Sequence, residues 1–276
     1  MRPYTAPLHV AREIVIVGGG CYGTFYARQL ERAQARGALA VSRILVVDRD
    51  PACQVTRELP PSPDRELVVR EWDEFLDEYL AALFPDRHPG ESHSRHPGES
   101  HSRHPGESRG PVRDELPSYI VPSPLMPHLM FDWLLRRARA LWPGRSVEQE
   151  PLTEPVGTPY DTLAPDGTRY VSWADWLCPT HCIEPALCPI IRAPRTWEMS
   201  ETAVSVAGRL STRGRETGTA LFVTRHLTDG VGAFAVDDAL GAAELLAAVG
   251  GKGGPAALLV GTVSACHGAL GLLALG

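Results

Sequence analysis

Residues 176–189 read WLCPTHCIEPALCP. Cys178, Cys182 and Cys188 stand within eleven residues of a chain that holds six cysteines in 276 positions. Thiols at that density serve metal ligation or redox exchange, and Pro179, Pro185 and Pro189 stiffen the loop that would preorganise them. The C-x3-C-x5-C spacing is neither the paired C-x2-C of a zinc ribbon nor the C-x2-C-x2-C-x3-C-P run of a ferredoxin, with which it shares only its Cys-Pro steps. It points to tetrahedral zinc or an iron–sulfur cluster; the alternative is a structural or redox-labile loop. A four-coordinate site needs one more donor. Cys266 is the preferred fourth ligand and His267 the second choice, with His181 and Glu184 as local candidates. Arg192 and Arg195 would meet an anion or pair with nearby acids, while Trp173, Trp176 and Trp197 read as ordinary core.

The opening of the chain offers a second kind of site. EIVIVGGG (13–20) is a β-branched run ending abruptly in glycine, as a buried parallel strand does. Apolar side chains then recur at helical intervals through Tyr22, Phe25, Tyr26, Leu30 and Ala33, and RILVVDRD (43–50) forms a second strand closing on Asp48. In this βαβ unit Gly18, Gly20 and Gly23 fit G-x-G-x-x-G, with Gly19, Cys21 and Tyr22 in the same turn. Gly18 permits the tight turn, Gly20 lets backbone approach a pyrophosphate, and Gly23 lets helix and strand meet closely. The helix N-terminus would hold the pyrophosphate, and Asp48 would accept the ribose hydroxyls. Residues 13–50 thus resemble the Rossmann-type NAD- and FAD-binding proteins. The resemblance implies NAD as the cofactor, with FAD as the alternative because the same unit holds its adenosine half. Asp48 favours NAD over NADP, and Arg49 beside it pulls the other way. Cys21 reads as a small buried filler.

These sites need an architecture. The expected one is a single α/β domain over 10–276, with a Rossmann-like, mainly parallel sheet and helices on both faces. Strands are expected at 14–18, 43–48, 220–225 and 257–263, and the cysteine-rich loop (171–200) would lie over the ligand edge. Amphipathic patterns place helices within 66–84, after Pro127 and over 237–250, the last being a crossover that makes the final strand parallel to its predecessor. AALLVGTV then reads as a strand, SACHG as a turn and GALGLLAL as a short helix. If that strand belongs to the glycine-turn sheet, Cys266 emerges at the same carboxyl edge. Residues 87–110 repeat an eight-residue unit, RHPGESHS, with no apolar side chain to bury. The repeat reads as a disordered insertion, and its five histidines are half of the chain's ten.

Composition narrows the function. A net charge of −6 argues against nucleic acid and anionic membranes as partners. Six cysteines without a signal-peptide pattern suit a reducing, cytoplasmic setting. The partners expected are a nucleotide cofactor and either a redox protein or a second copy. An oxidoreductase using NAD or a flavin is one reading, with His267 and His128 as the residues best suited to acid–base work. A non-catalytic nucleotide and metal sensor is the other.

Overall fold

A computed structural model describes residues 9–83, 116–179, 182–211 and 215–276. The repeat at 87–110 and His181 lie outside the described residues. The chain opens with β1 (His9–Val17), α1 (Cys21–Ala35), β2 (Leu39–Asp48), α2 (Gln54–Glu58), β3 (Arg65–Val69), α3 (Trp72–Ala81) and β4 (Ser118–Val121). It continues through α4 (Leu129–Leu141), β5 (Val147–Glu150), β6 (Tyr160–Leu163), β7 (Arg169–Ser172), β8 (Leu187–Cys188), β9 (Ala193–Pro194) and α5 (Met199–Ser211). The closing elements are β10 (Glu216–Val223), β11 (Arg225–Thr228), β12 (Val231–Ala235), α6 (Val236–Gly250), β13 (Ala256–Val263) and β14 (His267–Leu275).

The fold is mixed α/β, and it corrects the expectation of one mainly parallel sheet. Among the described residues there are two six-stranded sheets and a two-stranded β8–β9 ribbon. The first sheet runs β3-β2-β1-β4-β12-β11. Its first four strands are mutually parallel, whereas β12 and β11 are antiparallel additions. The second sheet runs β10-β13-β14-β7-β6, with β5 also paired to β14, and only β10 and β13 are parallel in it. The α6 crossover does make β13 parallel to β10, but in this second sheet rather than beside the glycine turn.

Alternation along the strands shows how the layers stack. Val15 and Val17 of β1 join a core with Phe75 and Leu76 of α3, Met130 and Leu134 of α4 and Leu246 of α6. The same core takes Leu258 and Val260 of β13 and Leu273 and Leu275 of β14 from the second sheet. Ile14 and Ile16 face the other way, onto Ala27 and Leu30 of α1. Ala257, Leu259, Leu270 and Leu272 turn instead onto Ala203 and Val206 of α5. The order is therefore α1, first sheet, α3–α4–α6, second sheet, α5. Each fully buried Leu or Ile contributes about 1.5–3 kcal/mol to such a core.

This layering explains the C-terminal correction. GALGLLAL is a strand: β14 pairs residue for residue with β13, Gly268 opposite Val263 through Leu275 opposite Ala256. Both strands are covered on both faces, so neither shows polar alternation and the run reads as continuously apolar. Among the described residues no helix is long and apolar enough to cross a membrane.

Candidate functional site

The glycine turn is built almost wholly from backbone. Gly18 has φ +92, where a side chain would strain the chain. A Cβ at Gly23 would collide with the Gly18 carbonyl oxygen, so glycine is what lets α1 start against the turn. At Gly20 an added Cβ would meet nothing within 4 Å. The turn is locked from the next strand: Gly19 N–H donates to Asp48 Oδ2 (2.6 Å) and Asp50 N–H to Asp48 Oδ1 (2.9 Å). Val55 N–H of α2 donates to the Gly19 carbonyl at 2.9 Å. Asp48 is thus a structural brace first, although each oxygen keeps a second lone pair for a hydroxyl donor. Arg49 is exposed and lies 3.8 Å from Glu71. Cys21 is exposed at the first position of α1, which corrects its reading as buried filler. The buried filler is Cys53, placed against Gly19.

Two cavities flank this turn. One, of about 400 Å³, lies beyond β2 and β3 and is lined by Arg49, Glu71, Trp72, Met126, Asp132 and Arg136. Trp72 stands beside Gly18 and donates its indole N–H to the Val47 carbonyl at 3.0 Å. The other, of about 520 Å³, is of ligand-pocket size. It opens past the end of β4 at Pro122 and Ser123, and Tyr26 of α1 reaches it from the glycine-turn side. Burial pushes the Tyr26 phenol up to about 12, with Tyr22 and Cys21 adding to the effect.

The larger cavity gathers Cys178, Cys182, Cys188 and Cys266. Cys266 arrives on the β13–β14 turn. The premise that β13 shares the glycine-turn sheet is therefore wrong, yet the turn still faces the same cavity. Burial raises the Cys178 thiol, and Cys182, Cys188 and Glu184 raise it further. Burial also raises Cys266, with Glu184 and Cys178 adding to the shift while Trp197 and Arg195 oppose it. Cys178 feels Cys182 and Cys188 from its own loop, and Cys266 feels Cys178 from a turn distant in sequence.

N–H donors surround these sulfurs. Trp197 Nε1–H points at Cys266 Sγ (3.4 Å), and the Glu184 backbone N–H at Cys182 Sγ (3.3 Å). The Trp176 indole N–H has no partner at hydrogen-bond distance, and its influence falls on Cys178, where it favours the thiolate. An indole nitrogen can only donate, so these contacts suit negatively charged sulfur. Trp173 and Trp197 stack with ring centres 6.1 Å apart, and Trp176 meets Trp197 edge-on at 6.3 Å. All three indoles are half-buried; Trp173 packs against the core formed with α5, as expected, while Trp176 and Trp197 stand beside the cysteines. Among the described residues, no three His, Cys, Asp or Glu side chains already stand as a group that could hold a metal ion.

Two histidines share the cavity. Ser172 Oγ lies 2.7 Å from the Ala174 carbonyl and 2.9 Å from His267 Nδ1, and when its one proton goes to the carbonyl it accepts from the ring. In that tautomer His267 Nε2 carries the ring's lone pair. Burial lowers the His267 pKa and that of His226, with Glu184 opposing both shifts. His226 was missed in the sequence; its only signal was its place one residue beyond the expected 220–225 strand. Glu184, read as a local ligand candidate, has its carboxylate taken up by Ser264 Oγ and the Ala265 N–H. Arg195 pairs with Glu198 (2.6 Å) and donates to the Glu184 carbonyl, which settles it among acids and acceptors. His128 is not drawn in: it precedes α4, 3.7 Å from Asp132, and lines a separate small cleft.

This is a mixed α/β protein with a cysteine-lined cavity between two sheets. Residues 130–276 match the model of a family described as "Uncharacterized protein, C-terminal domain". The match covers more than half of the chain, which therefore belongs to that family. No curated protein and no solved structure matched the chain.

Proposed function

We propose that the chain is a dinucleotide-binding oxidoreductase in which a cysteine-ligated metal centre, zinc or iron–sulfur, adjoins the reactive half of NAD or FAD. The observation that carries this reading is the position of the four-cysteine cavity, at the carboxyl end of β4, one strand from the glycine turn. The parallel block β3-β2-β1-β4 has the strand order of a Rossmann half, which binds dinucleotides across the carboxyl edge where the order reverses. The cavity by Arg49 and Trp72 lies on the β2–β3 side, where the adenosine would sit, and the cysteine cavity lies on the β4 side. Gly20 and the N-terminus of α1 would receive the pyrophosphate.

The cofactor supplies the redox chemistry, and the chain's residues position it and tune its surroundings. Cys178, Cys182, Cys188 and Cys266 would hold the metal, with the Trp197 and Glu184 N–H groups already directed at two of the sulfurs. Because burial raises Cys178 and Cys266, these thiols carry their protons in the metal-free protein, and metal uptake must release them. His267 Nε2 is available as a proton acceptor within the cavity. Asp48 braces the turn while keeping lone pairs for ribose.

The test is metal analysis and visible absorption of protein purified without oxygen. A flavin band, broad iron–sulfur absorption, or colourless protein with stoichiometric zinc and retained NAD supports the reading. Protein that takes up neither metal nor dinucleotide overturns it.

A further inference from the structure

We infer that Glu184 is a positioning residue: its carboxylate latches the three-cysteine loop onto the turn that carries Cys266. The use of this latch rests on the metal-centre reading above; its geometry does not. Every polar group of Glu184 is engaged. Its N–H donates to Cys182 Sγ (3.3 Å) and its carbonyl accepts from Arg195. Its Oε1 accepts from Ser264 Oγ (2.6 Å) and its Oε2 from the Ala265 N–H (2.9 Å), across some 80 residues of chain.

The backbone shows that this arrangement is imposed. Glu184 has φ 50, in the left-handed region that disfavours a side chain. Glycine would take that conformation freely, so the side chain is tolerated for what it holds. The turn itself is tied from elsewhere: Trp173 N–H donates to the Cys266 carbonyl and Met199 N–H to the Ala265 carbonyl. Those bonds fix the turn to β7 and α5. Trp197 Nε1–H also reaches Cys266 Sγ from the far end of the loop, and the carboxylate of Glu184 is what ties the turn directly to the stretch between Cys178 and Cys188. One residue therefore donates to one cysteine and fixes the approach of another.

Glu184→Gly separates the two roles, since it removes the carboxylate and relieves the backbone. The metal-free full chain is treated with diamide, and the Cys178–Cys266 disulfide is followed by tandem mass spectrometry. Two thiols give up two electrons and two protons, diamide becomes the hydrazine, and one S–S bond forms. The wild type forms this bond, and Glu184→Gly forms it about tenfold or more slowly, because the effective concentration of one thiol at the other falls. Its Tm meanwhile holds or rises. Equal rates in the two proteins overturn the inference. Should Glu184→Gly not fold, Ser264→Ala removes one of the two carboxylate bonds; it then slows the reaction about twofold or more, and an unchanged rate overturns the inference. Zinc uptake by the wild type is measured in parallel. A latch-dependent crosslink in protein that takes up neither zinc nor, on anaerobic reconstitution with iron and sulfide, an iron–sulfur cluster defeats the metal-centre reading and leaves the latch standing.

Discussion

At the glycine turn nearly every constraint is local, and at the cysteine cavity almost none is. Gly18, Gly23 and Asp48 lie within 31 residues and interlock through backbone groups of β1, α1 and β2. The cavity draws Cys178 and Glu184 from one loop, Cys266 from a turn some 80 residues on, Arg195 from between them and His226 from β11. The first region is rigid by construction. The second depends on a few side-chain bonds between segments that reach it from different layers, and that difference sets what each substitution does.

The sharpest contrast comes from the thiols. A four-ligand metal site is worth about 10–16 kcal/mol, so removing one ligand costs about 3 kcal/mol, or roughly a hundredfold in affinity. Cys182→Ser and Cys266→Ser should lose bound metal alike, as read by metal analysis. Full metal in Cys266→Ser with loss in Cys182→Ser would move the fourth ligand elsewhere. Next, Gly23→Ala should lose about 2–3 kcal/mol in denaturant unfolding, because its Cβ meets a backbone oxygen that cannot swing aside. Gly20→Ala, three residues earlier, should leave unfolding within about 0.5 kcal/mol of wild type, since its Cβ meets open space. Its effect should fall on NAD or FAD binding, weakened about tenfold in titration. Unchanged dinucleotide binding in Gly20→Ala would break the parallel between the two regions and leave the turn purely structural.

The smallest effect tests burial in the cavity. His226 has its pKa lowered by burial, so the unfolded chain takes up the proton first. Its contribution to stability is complete above pH about 6.5 and is lost as pH falls through that value toward the folded pKa. Thermal unfolding from pH 7.5 to 5 should therefore show a larger drop in Tm for wild type than for His226→Gln. The difference should be the smallest of the effects described, and its sign is the test. Parallel pH profiles would show that His226 is solvated and plays no part in the cavity.

The same contrast governs what could be read from residues alone. β1, α1, β2 and the tasks of Gly18 and Gly23 were legible because strand, turn and helix are consecutive. The α6 crossover and the β10–β13 pairing were legible for the same reason. The division into two sheets was not, since a parallel β10–β13 pair looks the same in sequence whichever sheet receives it. Leu270, Leu272, Leu273 and Leu275 were misread as helical because they divide between two cores, an alternation hidden by apolar cover on both sides. Cys266 was singled out beside the three-cysteine loop for a partly wrong reason. The Glu184 bonds, which give that association its geometry, leave no mark at sequence range. The buried filler is Cys53 rather than Cys21 because α2 folds back over Gly19, a contact that spacing cannot foretell.

The layer of α3, α4 and α6 between the sheets has a consequence for how the chain can be divided. The family match begins at Met130, inside α4, and β12 lies within it although its partner β4 does not. A fragment starting there would carry α4 and α6 with one apolar face stripped of the first sheet, and would leave a strand edge without its neighbour. Such surfaces self-associate. The whole chain should melt in one step, whereas the isolated C-terminal portion should need a substitute for residues 9–121 before it stays dispersed in water.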